Sequence, residues 1–380
     1  MSQYEYYEFQ AVDRRLNEPE MHQLRGCSSR AQITPTSFTN EYHFGSFKGD
    51  EDLWMEKYFD GYLYNSNWGT RVLMLALPAT VLPLESVQPH CSGESLSVRK
   101  KDGRVILTFT WHNENYEHWV ESSESLSPLL PLRTELAGGD HRSLYIGWLL
   151  GVQSGECDGD QVEPPVPRNL SALSPALRCL VEFLRVDRDL LEAAAEGSTF
   201  LPPAHQDRKA VLAWVKSLSA GVKDDAIAEL VDGEPAQVAM ELRARFSDSR
   251  RPPQVPEVGP RRTAGELAAK AAALRKQRQE ASARAAEAQR KHQQELAVEA
   301  RQRHLDSLAG LEPEIWSKVD ELIALKQSKS YDEAIQHLKD LRELAVSGAS
   351  LAEFQRRIGA LRSTHPAKRG LLDRLQRGGF

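Results

Sequence analysis

Residues 275–295 read RKQRQEASARAAEAQRKHQQE, and this stretch decides how the chain is organised. Its only apolar residues are alanines, and most of the others are Arg, Lys, Gln and Glu, which favour a helix. A helix with this composition offers too little apolar surface to be buried in a core. The sequence therefore predicts a helical segment whose surface faces water.

The bounds of this helix are marked by its flanking residues. Thr263-Ala-Gly-Glu266 has the spacing of a capping box, and Gly310 and Pro313 mark the end. We expect one continuous helix from Thr263 to Leu308, which would be roughly 70 Å long at 1.5 Å per residue. Such a helix would serve as a spacer that carries a module at its far end.

Two alternatives to a free spacer remain open. Leu267, Leu274, Ala281 and Ala288 fall in heptad register, so the helix could pair in a coiled coil, although the apolar stripe is thin and breaks at Glu295. The helix could also fold back on its own domain.

Composition and length indicate a globular, multidomain protein. The chain has 380 residues, of which 41% are hydrophobic and 27% charged, enough for two or three domains. No apolar run approaches the roughly 18 residues that cross a bilayer, and the N-terminus lacks the pattern of a signal peptide. Four scattered cysteines without a C-x-x-C pair argue against a zinc ribbon and a secreted disulfide scaffold. We expect a cytoplasmic protein with no membrane partner.

The charge is unevenly distributed. Residues 1–260 contain 25 Lys and Arg against 38 Asp and Glu, whereas residues 261–380 contain 23 against 16. The two parts of the chain therefore suit different electrostatic partners, or each other.

Residues 1–155 alternate strand and helix signals, which predicts an α+β domain. Asn17-Glu-Pro-Glu20 has the pattern of a helix start, and Lys101-Asp102-Gly103 separates two alternating strands as in a hairpin. An aromatic helix is expected from Leu53 to Leu63, because Leu53, Trp54, Tyr58, Tyr62 and Leu63 keep helical spacing.

The remaining chain is predicted to be helical apart from one joint. We expect a helical bundle extension over 164–250, a Pro-rich linker over 251–262, the spacer over 263–308 and a helical docking module with a basic tail over 312–380. Helical spacing places these apolar residues inside the bundle extension: Val211, Leu212, Val215, Leu218, Ile227, Leu230, Val238 and Leu242.

The basic tail is the candidate binding site. Arg and Lys supply most of the sequence-independent affinity for nucleic acid. The candidate nucleic-acid-binding residues are Arg356, Arg357, Arg362, Lys368, Arg369, Arg374 and Arg377. The alternatives are a solvated helix face and a match to the acidic N-terminal part.

Motifs of known chemistry are missing. The sequence contains no G-x-G-x-x-G, P-loop, G-x-S-x-G or H-E-x-x-H motif, so no catalytic residue, metal ligand or cofactor is assigned. The polar run from His112 to His118 could bind a metal or transfer protons, but a solvated loop after the hairpin is the better explanation. Asp158-Gly-Asp160 lacks the ligands that complete a calcium loop. The aromatic set Trp54, Tyr58, Tyr62, Tyr64 and Trp68 could stack on bases or pack in a core.

Two parts of the chain resemble known families. Tyr6–Arg14, Ile33–His43 and Asn67–Arg71 resemble a family of uncharacterised bacterial proteins, which implies a bacterial cytosolic origin. About 50 C-terminal residues, including Tyr331–Ala334 and Leu338–Arg342, are similar to the tails of bacterial SWIM zinc-finger proteins. This similarity implies a docking module near nucleic acid. The zinc motif itself is absent, so zinc binding is not implied.

Three functions follow as hypotheses. The first is a non-catalytic accessory or scaffold protein that docks partner proteins through the C-terminal module. The second is a nucleic-acid-associated factor that contacts phosphates through the basic tail. The third is an enzyme with an unrecognised site in the α+β domain.

Overall fold

The protein has an α+β fold, as the sequence predicted. The computed structural model describes residues 4–43, 47–113, 125–200, 208–233, 235–250 and 261–380. The chain divides into two compact units, Met1–Arg278 and Gln279–Phe380, which are described separately below.

A seven-stranded antiparallel sheet forms the centre of the first unit. Its strands follow the order β2-β3-β1-β4-β5-β7-β6 across the sheet. Every neighbouring pair is antiparallel. The strands are β1 (Glu5–Gln10), β2 (Gln32–Thr34), β3 (Ser37–Tyr42), β4 (Gly61–Ser66), β5 (Thr70–Pro78), β6 (Leu96–Lys101) and β7 (Arg104–His112).

Among the described residues of the first unit there are ten complete helices and the start of an eleventh. They are α1 (Glu18–Cys27), α2 (Glu51–Lys57), α3 (Leu84–Val87), α4 (Pro131–Ala137), α5 (Arg142–Ser154), α6 (Pro175–Phe183), α7 (Arg188–Ala195), α8 (Arg208–Ser217), α9 (Ala220–Asp232), α10 (Pro235–Ser249) and α11 (Ala264–Leu308).

The sheet is covered by helices on both faces. Side chains alternate along each strand, so Met74 and Ala76 of β5 point to one face and Leu73 and Leu75 to the other. The first face packs an aromatic core against α1 and α2, and the second packs against a larger core from α4 to α7, α10 and the start of α11. The predicted hairpin is confirmed, with Asp102 and Gly103 both at positive φ.

The expected aromatic helix from Leu53 to Leu63 is confirmed as far as Lys57 and wrong beyond it. Helix α2 ends at Lys57, and Gly61–Ser66 forms β4 between β1 and β5. Tyr62 and Tyr64 belong to the aromatic core, whereas Leu63 between them belongs to the opposite core. This two-residue alternation was hidden by helical spacing that continued by chance from α2.

The segment expected to be a separate helical bundle is only partly one. Helices α6 and α7 share the larger core with the sheet, as do Met240 and Ala244 of α10. Four side chains expected inside the bundle are instead exposed, because α8 and α9 pack on one side only: Leu212, Val215, Ile227 and Leu230. Of the Pro-rich linker, residues 251–260 lie outside the described part of the chain.

Helix α11 confirms the predicted long helix to within one residue. Its capping box forms as expected, since Thr263 N–H donates to Glu266 Oε2 (3.0 Å) and Glu266 N–H donates to Thr263 Oγ1 (3.2 Å). Every residue from Arg275 to Ala300 is exposed within the chain. The first heptad leucine, Leu267, is buried in the first unit's core, so that end of the apolar stripe already has a partner.

The start of α11 is fixed to the first unit by a cluster that we call the α11 latch, formed by Tyr145, Glu163 and Arg262. Glu163 is buried and accepts two hydrogen bonds of 2.8 Å from the Arg262 guanidinium, and Tyr145 donates a third. Carbonyl groups of Gly159 and Gln161 accept the N–H groups of the first helical residues. The Asp158-Gly-Asp160 stretch therefore has a structural role in holding this helix end.

The second unit contains the rest of α11 and four further helices around one core. These helices are α12 (Glu312–Ala324), α13 (Ser328–Ser347), α14 (Leu351–Thr364) and α15 (Arg369–Arg377). Apolar side chains such as Val319, Ile323, Leu338 and Leu371 form this core. Each of the four helices buries a stripe at helical spacing, which is why the sequence predicted them.

Candidate interaction surface

The seven basic residues proposed as a nucleic-acid site lie on or beside α14 and α15. Five of them are exposed, and Lys368 and Arg374 are half-buried. The apolar stripes of both helices face the core of the second unit, which directs the basic side chains outward. The predicted residues therefore lie together on or beside α14 and α15, and the two half-buried ones are less accessible to a ligand.

Four of the seven basic side chains have partners within the second unit. The Arg357 guanidinium lies over the Trp316 ring at 4.7 Å from its centroid, a cation–π contact that also covers the ring. Lys368 Nζ donates to the Ile323 carbonyl (2.9 Å) near the end of α12. Arg362 donates to the main-chain oxygen of Phe380 (2.5 Å). These three contacts hold helices of the unit together.

The fourth engaged residue is Arg374. Its Nε donates to Asp332 Oδ1 (2.6 Å) and its Nη2 to Ser328 Oγ (2.6 Å). The hydrogen bond from Arg374 lowers the pKa of Asp332. Both charges lie at the surface, so the pair fixes the geometry of α15 against α13 more than it adds stability.

Three basic residues remain for an external partner. Within the second unit, all of whose residues are described, Arg356, Arg369 and Arg377 are exposed and form no hydrogen bond or ion pair. Arg369 and Arg377 mark the two ends of α15. We call these three side chains the basic face.

A groove lies next to Arg377 of the basic face, between the end of α11, α13 and Gly378. Its volume is about 580 Å³. We call it the C-terminal groove, and it is lined by Leu305, Lys339, Arg342, Glu343, Val346, Ser347 and Gly378. Val346 is 62% exposed, so the groove presents an apolar side chain to solvent between charged ones.

The charge of the C-terminal groove is positive. Arg301 bonds Glu343 (2.9 Å) and also the buried Asp340 (2.6 Å), and these hydrogen bonds raise the pKa of Arg301. One guanidinium is thus shared by two carboxylates, and the charged residues that line the groove, Lys339, Arg342 and Glu343, carry one net positive charge. A positive, partly apolar groove suits an acidic segment with an apolar side chain.

Phe380 connects the C-terminal groove to α14. Its ring lies 6.0 Å from the Phe354 ring, and the Arg342 guanidinium lies 5.9 Å from its centroid. Since Arg362 also holds its main-chain oxygen, the last residue is fixed from both sides. The groove and α14 are thus parts of one continuous surface.

Sequence reasoning missed the groove residues. Lys339, Arg342 and Val346 lie on α13, outside the basic run from Ala352 to Phe380. Their spacing of three and four residues places them on one helix face, beside the buried Leu338 and Leu341. This spacing was the available signal, but it becomes a groove only because Leu305 and Gly378 approach from distant parts of the chain.

Buried charges of the first unit form structural contacts. Arg133 donates to both carboxylate oxygens of Asp13 (3.0 and 2.7 Å) and to the Ala76 carbonyl (2.7 Å). Asp60 accepts from the N–H groups of Val12 and Asp13 and from Arg104. Burial raises the pKa of Asp60, and the charges of Arg133 and Arg104 counter this effect. The cluster joins β1, β4, β5, β7 and α4 at one end of the sheet.

The other candidates from the sequence are also accounted for where the structure describes them. His112 Nδ1 lies 2.8 Å from Thr70 Oγ1, and residues 114–118 of the polar run lie outside the described part of the chain. Trp54 and Tyr62 are buried in the aromatic core, which favours packing over base stacking. Among the described residues, no three His, Cys, Asp or Glu side chains are arranged to hold a metal ion.

The described helices include none with both the length and the apolar character needed to cross a bilayer. Comparisons of the chain with protein families, with curated proteins and with solved structures found no match.

Proposed function

We propose that this chain is a non-catalytic, cytoplasmic accessory protein that docks an acidic segment of a partner protein in the C-terminal groove. The observation that carries the proposal is that two cations, Lys339 and Arg342, lie with the exposed Val346 in one groove of net positive charge. The groove belongs to a unit with its own core, so it is a preformed surface.

Recognition in this groove would follow the usual division between charge and shape. Carboxylates of the partner would meet Lys339 and Arg342, while an apolar side chain would cover Val346 and reach Leu305. Charge complementarity speeds association and selects the partner, and the apolar contact slows its release. Arg377 of the basic face precedes the groove residue Gly378 and would extend the attraction for an acidic partner.

Two observations support the non-catalytic role and the cytoplasmic location in this proposal. The buried charges of the first unit are engaged in joining its strands and helices, as in the Asp13–Arg133 pair and the α11 latch. This engagement favours a scaffold over a catalytic site. All four cysteines are free thiols and half-buried, which fits a reducing cytoplasmic location.

The test uses the tagged full-length chain and two matched variants in the host. A variant with Lys339→Glu and Val346→Asp changes the groove only, and Arg356→Glu changes an exposed cation outside it. Proteins captured by the parent and by Arg356→Glu, but lost from the groove variant, would be the docked partners by mass spectrometry. Equal recovery with all three chains would contradict docking in the groove.

Nucleic-acid binding is the second candidate, favoured by the three unengaged arginines of the basic face. If they bind phosphates, the full chain should retain RNA or DNA at low salt and release it steeply as salt rises. A variant that changes Arg356, Arg369 and Arg377 to Glu should lose that retention, whereas the groove variant should keep it.

A further inference from the structure

Helices α9 and α10 of the first unit enclose a second groove. Its volume is about 500 Å³, and we call it the α9–α10 groove. Its apolar lining is Val222, Ala226, Val238 and Leu242, and its charged lining is Asp225, Glu229, Glu241 and Arg245. Three carboxylates against one guanidinium make this groove acidic. Glu241 is oriented by Thr80, whose Oγ1 donates to it (2.8 Å).

Helix α8 of the same unit carries the opposite charge on an exposed apolar side. Leu212 is 50% exposed and Val215 is 37% exposed, three residues apart on one face. The other side of α8 is occupied, because Trp214 contacts Phe246 of α10 with ring centroids 5.4 Å apart. The exposed face of α8 also carries two exposed cations, Arg208 and Lys216, and the helix contains no Asp or Glu.

We propose that the α9–α10 groove receives helix α8 of a second copy of this chain. Leu212 and Val215 would cover the apolar floor formed by Val222, Ala226 and Leu242. The cations of α8 would meet Asp225, Glu229 and Glu241. The same contact made in both directions gives a two-fold symmetric dimer, the commonest arrangement of identical chains.

Charge complementarity is the reason for choosing a second copy as the occupant. The chain itself carries both an acidic apolar groove and a basic apolar helix, and each is exposed within the same unit. Amphipathic helices seated in apolar grooves are a common mode of recognition, with anchors at three- and four-residue spacing. Each α8 is only about 15 Å long, so two such contacts give a small interface of the size found in weak, transient complexes. We expect a dissociation constant of about micromolar or weaker.

The outward side of α9 provides an internal control. Ile227 is 60% exposed and Val231 is 77% exposed, and neither lines the α9–α10 groove. If two chains associated through this side instead, substitution there would dissociate them. If the groove is the interface, Val231→Glu should leave the association unchanged.

The experiment measures the mass of the full-length protein by sedimentation between about 1 and 100 µM, a range that brackets the affinity expected of a small interface. One variant carries Arg208→Glu and Lys216→Glu, which reverses the charge of α8. The other carries Asp225→Lys and Glu229→Lys, which reverses the charge of the groove. All four residues are exposed, and circular dichroism will verify that each variant keeps its helices.

We expect each variant alone to dissociate at least tenfold more readily than the parent, because like charges then face each other in both contacts. Mixed in equal amounts, the two variants should form a heterodimer with parent-like affinity, since both contacts are complementary again. A parent that is monomeric at 100 µM would overturn the proposal. So would association that survives the charge reversals, that is lost in Val231→Glu, or that is not restored by mixing.

Discussion

Glu163→Gln tests the α11 latch, the contact that fixes the start of the long helix. Glu163 is buried and receives two hydrogen bonds from the Arg262 guanidinium and one from Tyr145. The substitution keeps the shape of the side chain but removes its charge. The amide NH₂ group of Gln cannot accept a hydrogen bond, so at least one donor of Arg262 or Tyr145 loses its acceptor. The Arg262 charge then lies beside a neutral group.

The expected loss of stability can be worked from these contacts. Breaking a buried ion pair by neutralising one partner costs about 3–5 kcal/mol. The Arg262 side chain is 26% exposed and also donates to the Ala193 carbonyl, so water and that bond compensate in part. We therefore expect a loss at the lower end, about 3 kcal/mol. For a unit of this size this lowers the unfolding temperature by roughly 6–12 °C.

The assay combines thermal unfolding with hydrogen exchange. Exchange should accelerate at Ala264 and Gly265, whose N–H groups donate to carbonyls of Gln161 and Gly159 in the segment that Glu163 anchors. Glu192→Gln is the matched control, because Glu192 pairs with Arg278 while both side chains are nearly half exposed. We expect the control to cost less than about 1 kcal/mol. A Glu163→Gln variant that unfolds at the same temperature as this control would refute the structural role of the latch.

Three further predictions concern a buried histidine, a buried aspartate and the basic face. Burial, with a smaller effect from His141, lowers the pKa of His90 to about 4. The folded state should therefore lose up to about 3 kcal/mol of stability as pH falls from about 6.5 to 4. When the free energy of unfolding in urea is measured against pH, His90→Leu should reduce this loss, whereas His22→Gln, a change at an exposed histidine, should not. Asp340→Asn should lower the unfolding temperature of the second unit, because the buried Asp340 carboxylate forms an ion pair with Arg301. Asp332→Asn should change that temperature little, because Asp332 pairs with Arg374 at the surface. The full chain should retain nucleic acid only at background level, at every salt concentration. Micromolar binding that is abolished when Arg356, Arg369 and Arg377 are changed to Glu would contradict this prediction.

Local signals in the sequence predicted the local structure well. Thr263 and Glu266 form the predicted capping box, and the helix predicted to start at Asn17 does so with a capping box between Asn17 and Glu20. These predictions succeed because a cap involves residues only three positions apart, so no distant part of the chain has to be known.

Predictions that depended on the environment of a helix failed. The residues from Gly61 to Ser66 form a strand because β1 and β5 flank them on both sides, and neither neighbour can be read from the segment itself. Leu212 and Ile227 have the spacing of core residues, yet the structure places them at the surface of the first unit. Helical spacing identifies an apolar face, but it does not say whether the same chain covers that face.

The basic tail shows the same limit for charge. Seven cations and two anions between Ala352 and Phe380 predict a strongly attractive surface for phosphates. Four of the cations are used by the second unit itself, as with Arg357 over Trp316 and Arg374 beside Asp332. Charge reversal at Arg357 or Lys368 would thus disturb folding and mimic a loss of binding. The residues that separate docking from phosphate binding are those without an internal role, and only the fold distinguishes them from their neighbours.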